Sequence, residues 1–262
     1  MQRKRHWNDA VDLQPGDDSR PTRSGDGVDP GGMTRRSVLA GVIAGAVVGS
    51  RWARAAESGD TAVAEVTTPA QALERLMAGN ERYATGQVSP RDFTLDRQKL
   101  VEGQQPFAAI ISCADSRVVP EFAFDLGRGE LFVVRIAGNF ASDDGLASLE
   151  YAVQYLGTRL VFVLGHSGCG AIKAAIADVD QGVQLPGRLP ELIDGLKPAV
   201  KLARDLPGDR LANVIRTNVT IQVEYLKLRD PVLYPRIKAG RLAVVGGVYD
   251  LATGRVEIVA RD

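Results

Sequence analysis

Four short, almost wholly apolar runs, at 107–112, 131–136, 160–164 and 242–248, constrain the fold more than any other feature of this chain. Each is too short for a helix and too continuously apolar for a strand with one wet face. Such runs fit strands covered on both faces, which is the environment of a parallel sheet. Between and before them lie helical patterns. One starts at Pro69, with Leu73, Leu76, Met77 and Tyr83 at helical spacing and Gly86 as a stop. Others span 145–156, 171–179, 190–206 and 209–229. Alternation of strand and helix predicts an α/β fold, a mostly parallel β-sheet flanked by helices. A last run at 255–260, after the turn-like Ala252-Thr253-Gly254, reads as an edge strand.

The strands place the chemistry. Cys113 follows the first strand directly and His166 follows the third. In open α/β sheets ligands bind beyond the carboxyl ends of the strands, so two such ends can bring distant segments together. Cys169 comes three residues after His166, where the loop turns into a helix, and Gly165, Gly168 and Gly170 free that backbone to turn. Downstream of residue 55 the chain has one histidine and two cysteines, Cys113, His166 and Cys169. Two thiolates and an imidazole suit Zn²⁺, and three protein ligands leave a fourth position open, as in a catalytic site. A Cys113–Cys169 disulfide is the plain alternative in an exported protein. Asp115 and Arg117, two residues apart, can face one side of an extended segment. Beside a dication, Asp115 can ligate the metal and close the site, or be held off it by the Arg117 fork.

The first 34 residues are polar and rich in Gly, Pro, Asp and Arg, a composition expected to stay disordered. Thr34-Arg35-Arg36-Ser37-Val38-Leu39, an uncharged run over 37–50 and Ala53-Arg54-Ala55 together resemble a twin-arginine export signal. The expectation is a leader over 1–55, a linker over 56–68 and a single catalytic domain over 69–262. The leader would engage the twin-arginine export machinery and deliver the protein to the periplasm, cell envelope or exterior, or anchor it in the membrane if uncleaved. The leader holds 9 of the chain's 32 basic and 6 of its 32 acidic residues, leaving 23 and 26 in 56–262. That balance offers no basic surface for nucleic acid.

Cys113-Ala114-Asp115-Ser116-Arg117 followed by His166-Ser167-Gly168-Cys169 resembles the paired signature of the β-class carbonic anhydrases. Gly79-Asn80-Glu81-Arg82-Tyr83, Arg135-Ile136-Ala137-Gly138-Asn139 and Tyr249-Asp250-Leu251 extend the resemblance from about residue 70 to the end. It implies one Zn²⁺ per subunit on Cys113, His166 and Cys169, and Asp115–Arg117 as a catalytic, gating dyad. It implies substrate contacts from Gln104 and the backbone N–H of Gly170. It implies Phe132, Ala137 and Tyr151 around an apolar CO₂ pocket. The implied activity is reversible hydration of CO₂ to bicarbonate and a proton by hydroxide generated at zinc. The implied assembly is a homodimer or dimer of dimers with sites at subunit interfaces. One branch of the family has a regulatory bicarbonate site with Trp three residues before the first zinc cysteine. Ile110 stands there in this chain, and both tryptophans are in the leader. The alternatives are a CS₂ or COS hydrolase on the same fold, or a bicarbonate- or zinc-binding module without turnover.

Overall fold

The computed structural model describes residues 66–92, 97–98, 100–101 and 103–261. The leader, the export signal and nearly all of the expected linker lie outside these residues. The described elements are α1 (Pro69–Ala84), β1 (Ala108–Ser112), α2 (Pro120–Ala123), β2 (Leu131–Arg135), α3 (Asp143–Tyr155), β3 (Leu160–His166) and α4 (Gly170–Gln181). Then come α5 (Leu189–Asp194), α6 (Lys197–Leu202), α7 (Arg210–Lys227), α8 (Leu233–Lys238), β4 (Ala243–Tyr249) and β5 (Val256–Ala260). The strands form one sheet in the order β2-β1-β3-β4-β5. The first four are parallel, and β5 pairs antiparallel to β4 along one edge.

The apolar runs are strands because both of their faces are covered. Ala108, Ile110, Leu160, Phe162 and Leu164 face a core shared with Ala72 and Leu76 of α1 and with Phe124. The alternate residues Ala109, Ile111, Val161 and Val163 face Leu149 and Val153 of α3 and Val219 and Val223 of α7. Glycines set how closely α7 lies on the sheet. A Cβ on Gly246 would stand 2.5 Å from Val219 Cγ1, and one on Gly165 would stand 2.7 Å from Val219 Cγ2.

Two expectations are adjusted. β3 continues past Leu164 through Gly165 to His166, so His166 is the last strand residue, paired with Tyr249 of β4. The helical pattern over 190–206 is two short helices, α5 and α6, broken at Gly195 and Leu196. The aromatic ring of Phe140 crowds Gly195, where a Cβ would meet it at 2.9 Å.

Helix α1 is entered through a capping box. Gln71 N–H donates to Thr68 Oγ1, and Thr68 N–H donates to Gln71 Oε1. Asn80 then ties the helix down: its Nδ2 donates to the carbonyls of Ala123 and Gly254, and its Oδ1 accepts from Val256 N–H, all at 2.8 Å. A second tie is Asp125, buried at a positive φ of 45°. Its carboxylate accepts from Arg82 Nε at 2.6 Å, Ser89 Oγ at 2.9 Å and Arg91 Nη2 at 3.1 Å. Burial raises the Asp125 pKa, but the Arg82, Ser89 and Arg91 donors outweigh it and hold the carboxyl below its ordinary value. Its contribution to stability is therefore present at neutral pH and is lost as pH falls through the lowered folded-state pKa. Asp125→Asn, which tolerates the backbone but brings an NH₂ against donors, is expected to cost about 2 kcal/mol at pH 7. In urea unfolding, the gap between wild type and variant should narrow below about pH 4. A gap that stays constant to pH 3 would contradict this account.

Candidate metal centre and active site

The parallel register delivers the ligands. β1 and β3 are neighbours, with Ser112 opposite Leu164, so Cys113 and His166 leave adjacent strands at the same end of the sheet. Gly168, at φ +68°, turns the chain back, and Cys169 becomes the N-cap residue of α4. All three side chains are buried, and their ligand atoms lie within 4.8 Å of one another.

The geometry fits a metal. Two sulfurs at about 2.3 Å from a tetrahedral zinc would be about 3.8 Å apart. Cys113 Sγ and Cys169 Sγ are 3.9 Å apart, and both are free thiols. His166 Nδ1 donates to the Ser167 carbonyl at 2.9 Å, which fixes the tautomer and leaves a lone pair on Nε2. That Nε2 is buried and has no hydrogen-bond partner among the described residues. An imidazole nitrogen so placed, beside two thiols, is what a metal ligand requires.

The two sulfurs, 3.9 Å apart, oppose each other's ionisation. Cys113 is held well below the ordinary thiol value by its hydrogen bond with Cys169 and by the Gly138 N–H, against the opposing effect of burial. The Gly138 N–H to Cys113 Sγ distance is 3.3 Å. Cys169 is pushed well up by the thiolate of Cys113 and by burial, against the opposing backbone N–H groups of Ile172 and Ala171 at the start of α4. A cation beside both sulfurs would favour ionisation of the second thiol.

Asp115 lies beside this group. Its Oδ1 accepts from Arg117 N–H at 3.0 Å and Nε at 2.9 Å, and its Oδ2 from Nη2 at 2.7 Å. Oδ2 is also 3.8 Å from His166 Nε2. The Arg117 fork, opposed by partial burial, holds the carboxyl far below the usual carboxylate range, so Asp115 is an acceptor. Arg135, at the end of β2, pins this segment by donating to the carbonyls of Cys113 at 3.1 Å and Asp115 at 2.7 Å. Sequence reading gave Arg135 no role in the site. Its visible signals are a lone charge in an apolar run and its place at the head of the Arg135-Ile136-Ala137-Gly138-Asn139 segment.

The other expected site residues divide. Ala137 precedes Gly138 in the loop that touches Cys113, and Gly170 opens α4 with nothing within 4 Å of where a Cβ would stand. Phe132, Tyr151 and Gln104 are elsewhere in this chain. Phe132 pairs with Ala109, four residues ahead of Cys113 and about 13 Å along the strand. Tyr151 of α3 sits against it, with ring centroids 6.2 Å apart, and is 48% exposed. Gln104 is exposed in the segment entering β1, at the amino end of that strand.

Fold and centre together define a zinc metalloenzyme on a parallel α/β sheet. The comparisons narrow this. Residues 108–256 match the family model for carbonic anhydrase. Carbonic anhydrase 2 of Mycobacterium tuberculosis is 39% identical over 197 residues, covering 75% of this chain and 94% of that protein. The carbonic anhydrase of Mycolicibacterium smegmatis is 36% identical over 193 residues, covering 73% and 94%. Among solved structures, the β-carbonic anhydrase CcaA superposes with a TM-score of 0.57 at 28% identity, covering 72% of this chain and 92% of that one. A tetrameric β-carbonic anhydrase of Sordaria macrospora superposes with a TM-score of 0.59 at 25% identity, covering 73% and 95%. The chain belongs to the carbonic anhydrase family, in its β class, and its cofactor is zinc.

Proposed function

We propose that the chain hydrates CO₂ reversibly at the Cys113–His166–Cys169 centre, with Asp115 and Arg117 as the catalytic pair and a second copy of the chain completing the substrate pocket. The observation that carries the reading is the Asp115 carboxylate, clamped by Arg117 with Oδ2 3.8 Å from His166 Nε2 beside a buried three-ligand group. Zinc held by these three residues would supply Lewis acidity, which activates water toward loss of a proton.

The chain's own residues do the rest. Asp115, fixed as a carboxylate, accepts a hydrogen bond from the reacting water and so aims a lone pair of its oxygen at CO₂. Arg117, which donates to both carboxylate oxygens, would keep Asp115 from becoming a metal ligand itself. Ala137 lines the place where CO₂ waits, and the Gly170 N–H, at the positive end of α4, faces the bicarbonate that forms. His166 is the only histidine in 56–262 and is a ligand, so the proton leaves through water to buffer.

The placement of Phe132, Tyr151 and Gln104 supports a shared pocket. Phe132 and Tyr151 lie at the β2 edge of the sheet, where the Tyr151 and Tyr155 rings meet tilted at 5.3 Å and Tyr155 is 75% exposed, and Gln104 is exposed ahead of the neighbouring strand β1. A two-fold pairing of two copies through this edge would carry these residues toward the partner's centre. Complementation tests it. Asp115→Ala and Gln104→Ala chains are each poorly active alone. Unfolded and refolded as a 1:1 mixture, they should recover about a quarter of wild-type turnover if the site is shared, because half the dimers then hold one intact site. No recovery would place Gln104 and Asp115 in the same chain's site.

We also propose twin-arginine export of the folded, zinc-loaded protein, on the strength of the Arg35-Arg36 segment and the Ala53-Arg54-Ala55 site. Retention of an Arg35→Lys, Arg36→Lys double variant in the cytoplasm would support it. Unchanged export would refute it.

A further inference from the structure

Helix α7 carries two buried amides one turn apart, Asn218 and Gln222, in a face otherwise made of Val214, Ile215, Val219, Val223 and Leu226. Both reach the loop that follows β2. Asn218 Nδ2 donates to the Gly138 carbonyl at 2.9 Å, and Gln222 Oε1 accepts from Ala141 N–H at 3.0 Å. At the first of these ties Gly138 stands at φ +86°, where a Cβ would strike Leu196 at 2.6 Å. The same Gly138 donates its N–H to Cys113 Sγ.

Core packing alone does not account for Asn218. Its side chain is buried, and its Oδ1 has no partner among the described residues. Burying an unpaired polar atom costs about 1–3 kcal/mol, a cost a leucine of similar size would avoid at that atom. What Asn218 does supply is a fixed position for the Gly138 peptide. The Gly138 carbonyl is held from α7 while the backbone N–H of the same residue points at sulfur. The helix itself cannot drift, because Val219 is seated against Gly165 and Gly246 of the sheet.

We propose that Asn218 is a positioning residue for the metal centre: through Gly138 it aims an N–H at the Cys113 sulfur and thereby tunes that ligand. A hydrogen bond to a metal-bound thiolate draws electron density from sulfur, which leaves the metal a stronger Lewis acid and fixes the ligand's direction. The inference rests on zinc at Cys113, His166 and Cys169, so zinc content of the wild-type full chain is measured first, and that result judges the zinc reading separately.

The test compares wild type, Asn218→Leu and Val223→Ala. Val223 is buried on the same helix, where it lies against Gly246 of the sheet, so its truncation loosens α7 without removing the Gly138 tie. Two quantities are read: zinc affinity by chelator competition, and the sulfur-to-metal charge-transfer band of the Co²⁺-loaded protein. Asn218→Leu is expected to bind zinc about 10–100-fold more weakly and to shift the band to lower energy. Val223→Ala should keep the wild-type band. Wild-type affinity and band in Asn218→Leu would overturn the proposal. So would weakened affinity with an unmoved band, or the same shift in Val223→Ala, since either is ordinary loosening of the fold. If Asn218→Leu does not fold, Asn218→Ser is read by the same criteria.

Discussion

Replacing Cys169 with serine is expected to leave a folded protein that loses zinc on dialysis and hydrates CO₂ no faster than buffer. A serine hydroxyl stays protonated where a thiol ionises, so the centre loses one of its two anionic ligands. The loss of affinity should exceed the roughly 10–100-fold typical of partners outside the ligand set. The same competition assay should reveal proton release in the wild type. The metal-free thiols retain one proton, because the thiolate at Cys113 opposes ionisation of Cys169 3.9 Å away. Zinc must expel that proton. Wild-type affinity should therefore fall about tenfold per unit as pH drops from 9 to 7. Full zinc retention in Cys169→Ser, or a flat pH dependence in the wild type, would contradict the assignment.

Asp115→Ala should behave differently: zinc stays and turnover goes. The three ligands are untouched, but no carboxylate remains to accept the hydrogen bond and orient the reacting oxygen. A positioned acid or base of this kind contributes about 10²–10⁴-fold, so stopped-flow hydration near pH 8.5 should fall by about that factor with metal content unchanged. Arg117, which is 55% exposed, would lose only its carboxylate partner and can turn to solvent, so stability should change little. A variant that keeps most of its turnover would remove Asp115 from the reaction.

These two outcomes separate residues the sequence made visible from those it left hidden. The strands at 107–112, 131–136, 160–164 and 242–248 were legible because burial on both faces demands continuous apolar runs. The ligands were legible because Cys113, His166 and Cys169 are all the cysteines and histidines of 56–262 and lie at strand ends. The break between α5 and α6 was passed over because the apolar spacing continues across it, although Gly195 and Pro198 mark it: Pro198, in the first turn of α6, has no N–H to continue the ladder from α5. The roles of Arg135 and Asn218, by contrast, were hidden. Each acts through a backbone carbonyl far away in sequence, and a carbonyl carries no residue identity to be read.

What the sequence determined by itself is therefore the inventory and its class of chemistry: two thiols, one imidazole, a nearby carboxylate and a parallel sheet to hold them. What only the tertiary structure decided is the 3.9 Å sulfur pair, the lone Nε2 of His166, the clamp on Asp115 and the distance of Phe132, Tyr151 and Gln104 from their own chain's centre. Local preference follows from neighbouring residues. Strand register and the seating of α7 on its glycines follow from packing between segments far apart in the chain, and these set the distances on which the chemistry depends.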